Sequence, residues 1–116
     1  MLVQFNTDHN IDGHARLQSY AEDAISGALA RFADRITRVE VHLSDENSAT
    51  KKGGNDHRCL LEARLANLNP VSVSHLAATR EEALDGALDK LEGMIDANLS
   101  RIFDPKGGAS FGDQPA

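Results

Sequence analysis

The spacing of apolar residues divides the chain into six periodic segments joined by polar connections. Leu2 to Asn6 alternates, with Val3 and Phe5 on one side and Gln4 and Asn6 on the other, which predicts a first or edge strand. From about Gly13 the period becomes helical. Leu17, Tyr20, Ala21, Ala24, Ile25, Ala28, Leu29 and Phe32 form one stripe, Asp12 is placed to cap it, and the helix is expected to cover 14 to 34. Ile36 to Ser44 returns to period two, setting Val39, Val41 and Leu43 against Arg38, Glu40, His42 and Ser44. His57 to Ala66 sets Cys59, Leu61, Ala63 and Leu65 inward and Arg58, Leu60, Glu62 and Arg64 outward. Val71, Val73, His75 and Ala77 alternate with Ser72, Ser74 and Leu76 in a fourth strand. Beyond Thr79, Leu84, Ala87, Leu88, Leu91, Ile95, Leu99 and Ile102 recur every three or four residues, the mark of a second amphipathic helix.

The connections agree with this division. Asp45 to Asp56 holds Lys51-Lys52-Gly53-Gly54-Asn55 without an apolar period and reads as a polar hairpin connection, mobile at its tip. Asn67-Leu68-Asn69-Pro70 reads as a tight turn, and Thr79-Arg80-Glu81-Glu82 as a capping box that starts the last helix. Two amphipathic helices need one apolar sheet face to cover. The order β-α-β-β-β-α therefore predicts an α+β two-layer sandwich, a four-stranded mixed sheet with both helices on one face. Strands two to four form an antiparallel meander, and strand one lies parallel to a neighbour through a helical crossover. One domain is expected over 1–103, with a flexible tail over 104–116, where Pro105, Gly107, Gly108, Gly112 and Pro115 interrupt any period.

Charge changes the picture of partners more than that of fold. Among 116 residues, 12 are basic and 18 acidic, a net charge of −6 that disfavours non-specific attraction to phosphate backbones or anionic lipid. The last helix is itself acidic: Glu81, Glu82, Asp85, Asp89, Glu92 and Asp96 stand against Arg80, Lys90 and Arg101. The cations gather elsewhere. Arg31, Arg35, Arg38, Lys51, Lys52, Arg58 and Arg64 place seven of the twelve between residues 31 and 64, with Asp34, Glu40, Asp45, Glu46, Asp56 and Glu62 in the same span. Arg31, Arg35 and Arg38 are expected to meet at the end of the first helix and the start of strand two, where guanidinium groups contact phosphates bidentately. A solvated surface of mixed charge is the plainer alternative.

Catalytic chemistry finds little support. His9, His14, His42, His57 and His75 are scattered over different segments, and only His42 beside His57 on adjacent strands offers an arrangement for a metal. Two surface histidines are the simpler account, and His75 reads as a hydrogen-bonded histidine at the end of the buried face. The lone Cys59 falls on an inward parity, which makes it a small core residue and suits a reducing compartment. Asp45-Glu46-Asn47 begins like a calcium loop, but Ala49 and Thr50 follow where an acid or amide and then glycine belong. No glycine-rich phosphate loop or nucleophile elbow is present, and one Tyr and four Phe leave no aromatic platform for stacking bases. No enzyme activity, cofactor, metal or small-molecule substrate is expected. No apolar run reaches the roughly 20 residues that span a bilayer, and Met1-Leu2-Val3-Gln4-Phe5 lacks a charged leader, so a cytoplasmic protein without membrane association is expected.

Ala83-Leu84-Asp85, followed after three residues by Asp89-Lys90-Leu91-Glu92, resembles the signature in the last helix of the ribosome hibernation promoting factors, also called ribosome-associated inhibitors or protein Y. Val39 to Ser44 running into Asp45-Glu46, and a glycine-containing loop before His57-Arg58-Cys59, is similar to their short single-domain members. The resemblance covers about residues 2 to 102. It implies the same β-α-β-β-β-α sandwich and a non-catalytic activity: lodging in the small ribosomal subunit over the channel for messenger and transfer RNA, and so silencing idle ribosomes in stress or stationary phase. Lys90 is the cation carried over within the matched motif. Arg31, Arg35, Arg38, Lys51, Lys52, Arg58 and Arg80 join it as rRNA-binding candidates on position and charge. Those proteins usually carry several basic residues along both helices, whereas the first helix here has Arg16 and Arg31 against Glu22, Asp23 and Asp34. Ribosome pairing through the long carboxy-terminal dimerising domain of some members is not expected. The alternative is an acidic member of the fold that self-associates or binds another protein without the ribosome. A homodimer would then pair the open sheet face that carries Gln4, Arg38, Glu40, His42, Arg58, Leu60, Glu62 and Arg64.

Overall fold

The structure is a computed structural model that describes residues 1–7, 14–45 and 57–103. Its elements run β1 (Leu2–Thr7), α1 (His14–Ala28), a 3₁₀ turn (Ala30–Phe32), β2 (Ile36–Asp45), β3 (His57–Leu65), β4 (Val71–Ala77) and α2 (Arg80–Phe103). The sheet order is β1-β2-β3-β4, with β1 parallel to β2 and the other pairs antiparallel. This is the mixed four-stranded sheet that the apolar periods predict. The hairpin connection with Lys51 and Lys52, the Asp12 cap and the tail over 104–116 lie outside the described residues.

One face of the sheet is dry. Val39, Val41 and Leu43 of β2, Cys59, Leu61, Ala63 and Leu65 of β3, and Val71, Val73 and Ala77 of β4 are buried, with Val3 and Phe5 of β1 packed at the margin. They meet Leu17, Ala21, Ile25 and Leu29 from α1 and Ala83, Leu84, Ala87, Leu88, Leu91 and Ile95 from α2. Each fully buried Leu or Ile contributes about 1.5–3 kcal/mol of transfer free energy, so this layer supplies most of the drive to fold. α2 lies against β3 and β4, and α1 against β1 and α2. The opposite face of the sheet has no covering layer among the described residues.

Five local features add to or depart from simple periodicity. β2 carries a bulge: Ile36 pairs with Leu65 and Arg38 with Arg64, which leaves Thr37 over. The extra residue shifts the parity, so Ile36 points into the core at 3% exposure although Arg38, two residues on, points out. The Thr37 hydroxyl donates to the Arg64 carbonyl at 3.0 Å and closes the gap. The first helix, expected to continue to residue 34, ends as an α-helix at Ala28 and tightens into the 3₁₀ turn; the amides of Phe32, Ala33 and Arg35 bond back to Leu29, Ala30 and Phe32.

Tyr20, placed by its spacing on the buried stripe, is instead exposed, because its hydroxyl finds Asp85 across the helix pair at 2.9 and 3.0 Å. The capping box forms by half: the Glu82 amide donates to the Thr79 hydroxyl at 3.1 Å, and the reciprocal bond from the Thr79 amide is absent among the described residues. Asn67 at φ 65° supplies the left-handed residue that the β3–β4 turn requires.

Candidate nucleic-acid interface

The two faces of the sandwich carry different charge. On the helix layer the acids of α2 do more than face water: they hold the cations that reach them. Arg31 stacks on Phe32, its guanidinium carbon 4.3 Å from the ring centre, and places its two terminal nitrogens 3.4 Å from Glu92 and Asp96. Lys90 donates its ammonium to the Ser74 carbonyl at 2.9 Å, tying α2 to the edge strand β4. Exposed pairs of this kind contribute only about 0.2–1 kcal/mol each, yet an outside phosphate has to displace them. The expected meeting of Arg31, Arg35 and Arg38 does not occur. Arg31 turns toward α2, and Arg38 belongs to the uncovered sheet face, on the far side of the sheet from the helices.

The uncovered face is ordered in rows by the strand register. Leu2, Arg38 and Arg64 lie abreast; Gln4, Glu40, Glu62 and Ser72 form the next row; Asn6, His42, Leu60 and Ser74 the third; Ser44, Arg58 and Leu76 the last. Like charges thus stand directly opposite twice, Arg38 against Arg64 and Glu40 against Glu62, an arrangement unfavourable by itself. Glu40 relieves it by accepting from Arg38 at 2.9 Å and lying 3.4 Å from His42 Nε2. With three arginines against two glutamates among the described residues, these rows are mildly basic, while α2 has six acids against three cations. Arg35, in the connection that enters β2, stands at the same end of the sheet as Arg38 and Arg64.

Of the rRNA-binding candidates, the structure therefore places Arg38 and Arg58 on the uncovered face at opposite ends, Arg35 beside the first of these, and Arg31, Arg80 and Lys90 on the helix layer. Arg80 is half-buried at the start of α2. Arg64 completes the Arg38 row, and its outward parity in the sequence was the signal for it. Apart from the imidazole of His42, no ring lies on this face among the described residues: Phe5 and Phe32 belong to the helix side and Tyr20 to α1. Among the described residues, base stacking across the sheet has no platform.

The remaining histidines and the cysteine are also placed. His57 opposes Asp45 whereas His42 opposes Leu60, so His42 and His57 fall on opposite faces and do not form the pair considered for a metal. Among the described residues no three His, Cys, Asp or Glu side chains converge on a cation position. His75 is half-buried over Gly86 and, against expectation, its ring makes no hydrogen bond among the described residues; the absent Cβ of Gly86 is what gives the ring room. Burial pushes the Cys59 thiol up to about 12, so it stays protonated and apolar. No described helix is long and apolar enough to cross a membrane.

Comparison with solved structures finds the same fold twice. The chain is similar to the N-terminal domain of Thermus thermophilus protein Y, with a TM-score of 0.66 and 21% identity over 84% of this chain and 99% of that one. It is also similar to a ribosomal subunit interface protein from Coxiella burnetii, with a TM-score of 0.61 and 13% identity over 86% and 99%. The search of curated proteins brings no match. Residues 6–102 match the family described as sigma 54 modulation protein / S30EA ribosomal protein, and with nearly the whole sandwich inside that span, the chain belongs to this family.

Proposed function

We propose that this protein is a cytoplasmic, non-enzymatic ribosome-associated factor that lowers translation in stress or stationary phase by occupying the decoding channel of the small ribosomal subunit. The observation that carries the reading is membership of the S30EA ribosomal protein family over residues 6–102. A rigid sandwich blocks the channel by its volume, and cations pairing with rRNA phosphates hold it there. Arg35, Arg38 and Arg58, helped by Arg64, are the preferred contacts, with Lys51, Lys52 and Arg80 around them. To reach phosphate, Arg31 and Lys90 have to release Glu92, Asp96 and the Ser74 carbonyl, and Arg38 has to release Glu40.

Co-sedimentation with purified small subunits at about 50 and 200 mM salt tests this. If four phosphates are neutralised, affinity falls roughly 50–150-fold over that range. Reversing Arg35 and Arg38 to glutamate abolishes binding. Failure to sediment with the subunit at the lower salt rejects the reading.

One observation favours a second reading, self-association through the open sheet face. The Arg38/Arg64 row lies next to the Glu40/Glu62 row, so a second copy turned about an axis across the strands sets arginines over glutamates. Sedimentation equilibrium of the protein alone decides between a monomer and this dimer.

A further inference from the structure

The sheet ends at β4, and the edge of that strand enters neither reading. β4 is last in the sheet order, so its alternate backbone groups meet no further strand among the described residues. Lys90 shows which groups these are. Its ammonium takes the Ser74 carbonyl at 2.9 Å, so Ser74 turns its backbone away from β3, and antiparallel alternation puts Ser72 and Leu76 in the same outward set. Local packing brings the lysine there. The absent Cβ of Gly86 lets α2 come down on the His75 ring, and Lys90 follows one turn later on the same side of the helix.

Nothing within β4 itself blunts this edge. In a chain that is 26% charged, Val71-Ser72-Val73-Ser74-His75-Leu76-Ala77 holds no Asp, Glu, Lys or Arg. It has no proline, and its ladder with β3 runs without a register shift. Natural edge strands avoid gaining further strands through charge, above all lysine, through proline or through a bulge. Here the charge comes from the neighbouring helix. Apolar side chains flank the edge on both faces: Leu76 on the open face and Met94, one turn beyond Lys90 on α2, are each 46% exposed.

A second copy of this chain fits such an edge. Turned about a two-fold axis at Ser74, two β4 strands pair antiparallel, with Ser72 of one copy opposite Leu76 of the other and Val73 opposite His75. The outward donors and acceptors match themselves under this rotation, and no charge opposes a like charge along the strands. Since α2 lies over both β3 and β4, the two α2 helices come to about 10 Å, an ordinary packing distance. Lys90 opposes this pairing twice: it occupies a carbonyl that the second strand needs, and the two ammonium groups converge near the axis. We propose that Lys90 holds β4 closed to a second copy of this chain, and that removing its charge lets two sheets join edge to edge. Such a dimer extends the sheet rather than stacking open faces, and it does not depend on ribosome association.

Sedimentation velocity of the full chain over a concentration series, combined with amide hydrogen exchange, tests this. Lys90→Met keeps the stem and removes the ammonium. It should dimerise about tenfold or more tightly than the wild type, since a charged donor no longer competes for the carbonyl, and it should gain protection at Ser72, Ser74 and Leu76. Lys90→Arg, which keeps a cationic donor, stays like the wild type. Adding Ser74→Pro or, separately, Leu76→Lys to Lys90→Met restores the monomer, the first by removing an outward amide and the second by putting charge on the strand. A Lys90→Met variant no more associated than the wild type overturns the proposal, as does association without protection of those amides or association that survives both added changes. Protection of the three amides in a variant that sediments as a monomer assigns the edge to another part of the same chain and overturns it too.

Discussion

Replacing glycines in α2 by alanine separates packing from propensity within one helix. Gly86 and Gly93 both stand inside α2, and alanine gains roughly 0.8–1 kcal/mol over glycine at an unconstrained helix position. At Gly93 nothing lies within 4 Å of an added Cβ, so Gly93→Ala collects that gain. At Gly86 the added Cβ falls onto Cδ2, Nε2 and Cγ of His75, and something must move. Overpacking of this kind costs about 1–3 kcal/mol, which cancels or exceeds the gain. Gly86→Ala is therefore expected to be neutral to about 2 kcal/mol destabilising, and the two variants should differ by about 1–3 kcal/mol. For a domain of this size that separation is several degrees in Tm, roughly 4–8 °C per kcal/mol.

Urea and thermal unfolding followed by circular dichroism read both values. A double-mutant cycle isolates the cause: in a His75→Ala background, Gly86→Ala should become as stabilising as Gly93→Ala. If Gly86→Ala stabilises the protein as much as Gly93→Ala with His75 in place, the packing of α2 on β4 described above is wrong.

Further outcomes concern the two groups with raised pKa. The hydrogen bond to Asp85, aided by partial burial and by the charges of Asp85 and Glu81, holds the Tyr20 hydroxyl above its ordinary 10.0. Its contribution to stability is thus present below pH 10.0 and lost as pH rises through the higher folded value, so Tyr20→Phe should flatten the alkaline end of the stability curve. A wild-type curve no steeper than that of the variant above pH 10 contradicts the helix-to-helix bond. Cys59 behaves similarly between its ordinary 9.0 and about 12, and its thiol should resist a disulfide reagent at pH 8 in the native state yet react fully in urea. Rapid native labelling would mean that the core around β3 opens. Truncating Leu61, fully buried in the centre of the sheet, to alanine should cost about 2–5 kcal/mol in urea unfolding, and a cost below 1 kcal/mol would contradict its place in the core.

Where the sequence was legible, a local rule and the tertiary need agreed. Val39, Val41 and Leu43, then Cys59, Leu61, Ala63 and Leu65, alternate because one sheet face is dry, and the alternation is visible residue by residue. Leu84, Ala87, Leu88, Leu91 and Ile95 likewise give α2 and the side it buries. The parts that escaped depend on residues far apart in the chain. Tyr20 sits at a stripe position, but its hydroxyl is satisfied by a carboxylate 65 positions away. Arg31 is close in sequence to Arg35 and Arg38, but Glu92 and Asp96 capture it from the other helix. Gly86 is the place where β4 approaches α2, which no local pattern around it announces.

Ile36 left a readable trace, an apolar residue out of step with its strand, and a bulge is the usual resolution of such a conflict. The rRNA-binding candidates were the least legible. Charge alone does not tell a cation facing solvent from one already paired, and here Glu92 and Asp96 pair with Arg31 and Glu40 with Arg38.

The central claim is that this acidic member of the family still occupies the decoding channel, held mainly by cations of the open sheet face and its end. Hydroxyl-radical footprinting of small-subunit rRNA with saturating protein measures this directly. The account expects protection of rRNA lining the channel, lost on reversing Arg38 and Arg64 together to glutamate and retained on reversing Arg31. Protection outside the channel, or protection in the channel that survives the Arg38 and Arg64 reversal but disappears with Arg31, would contradict it.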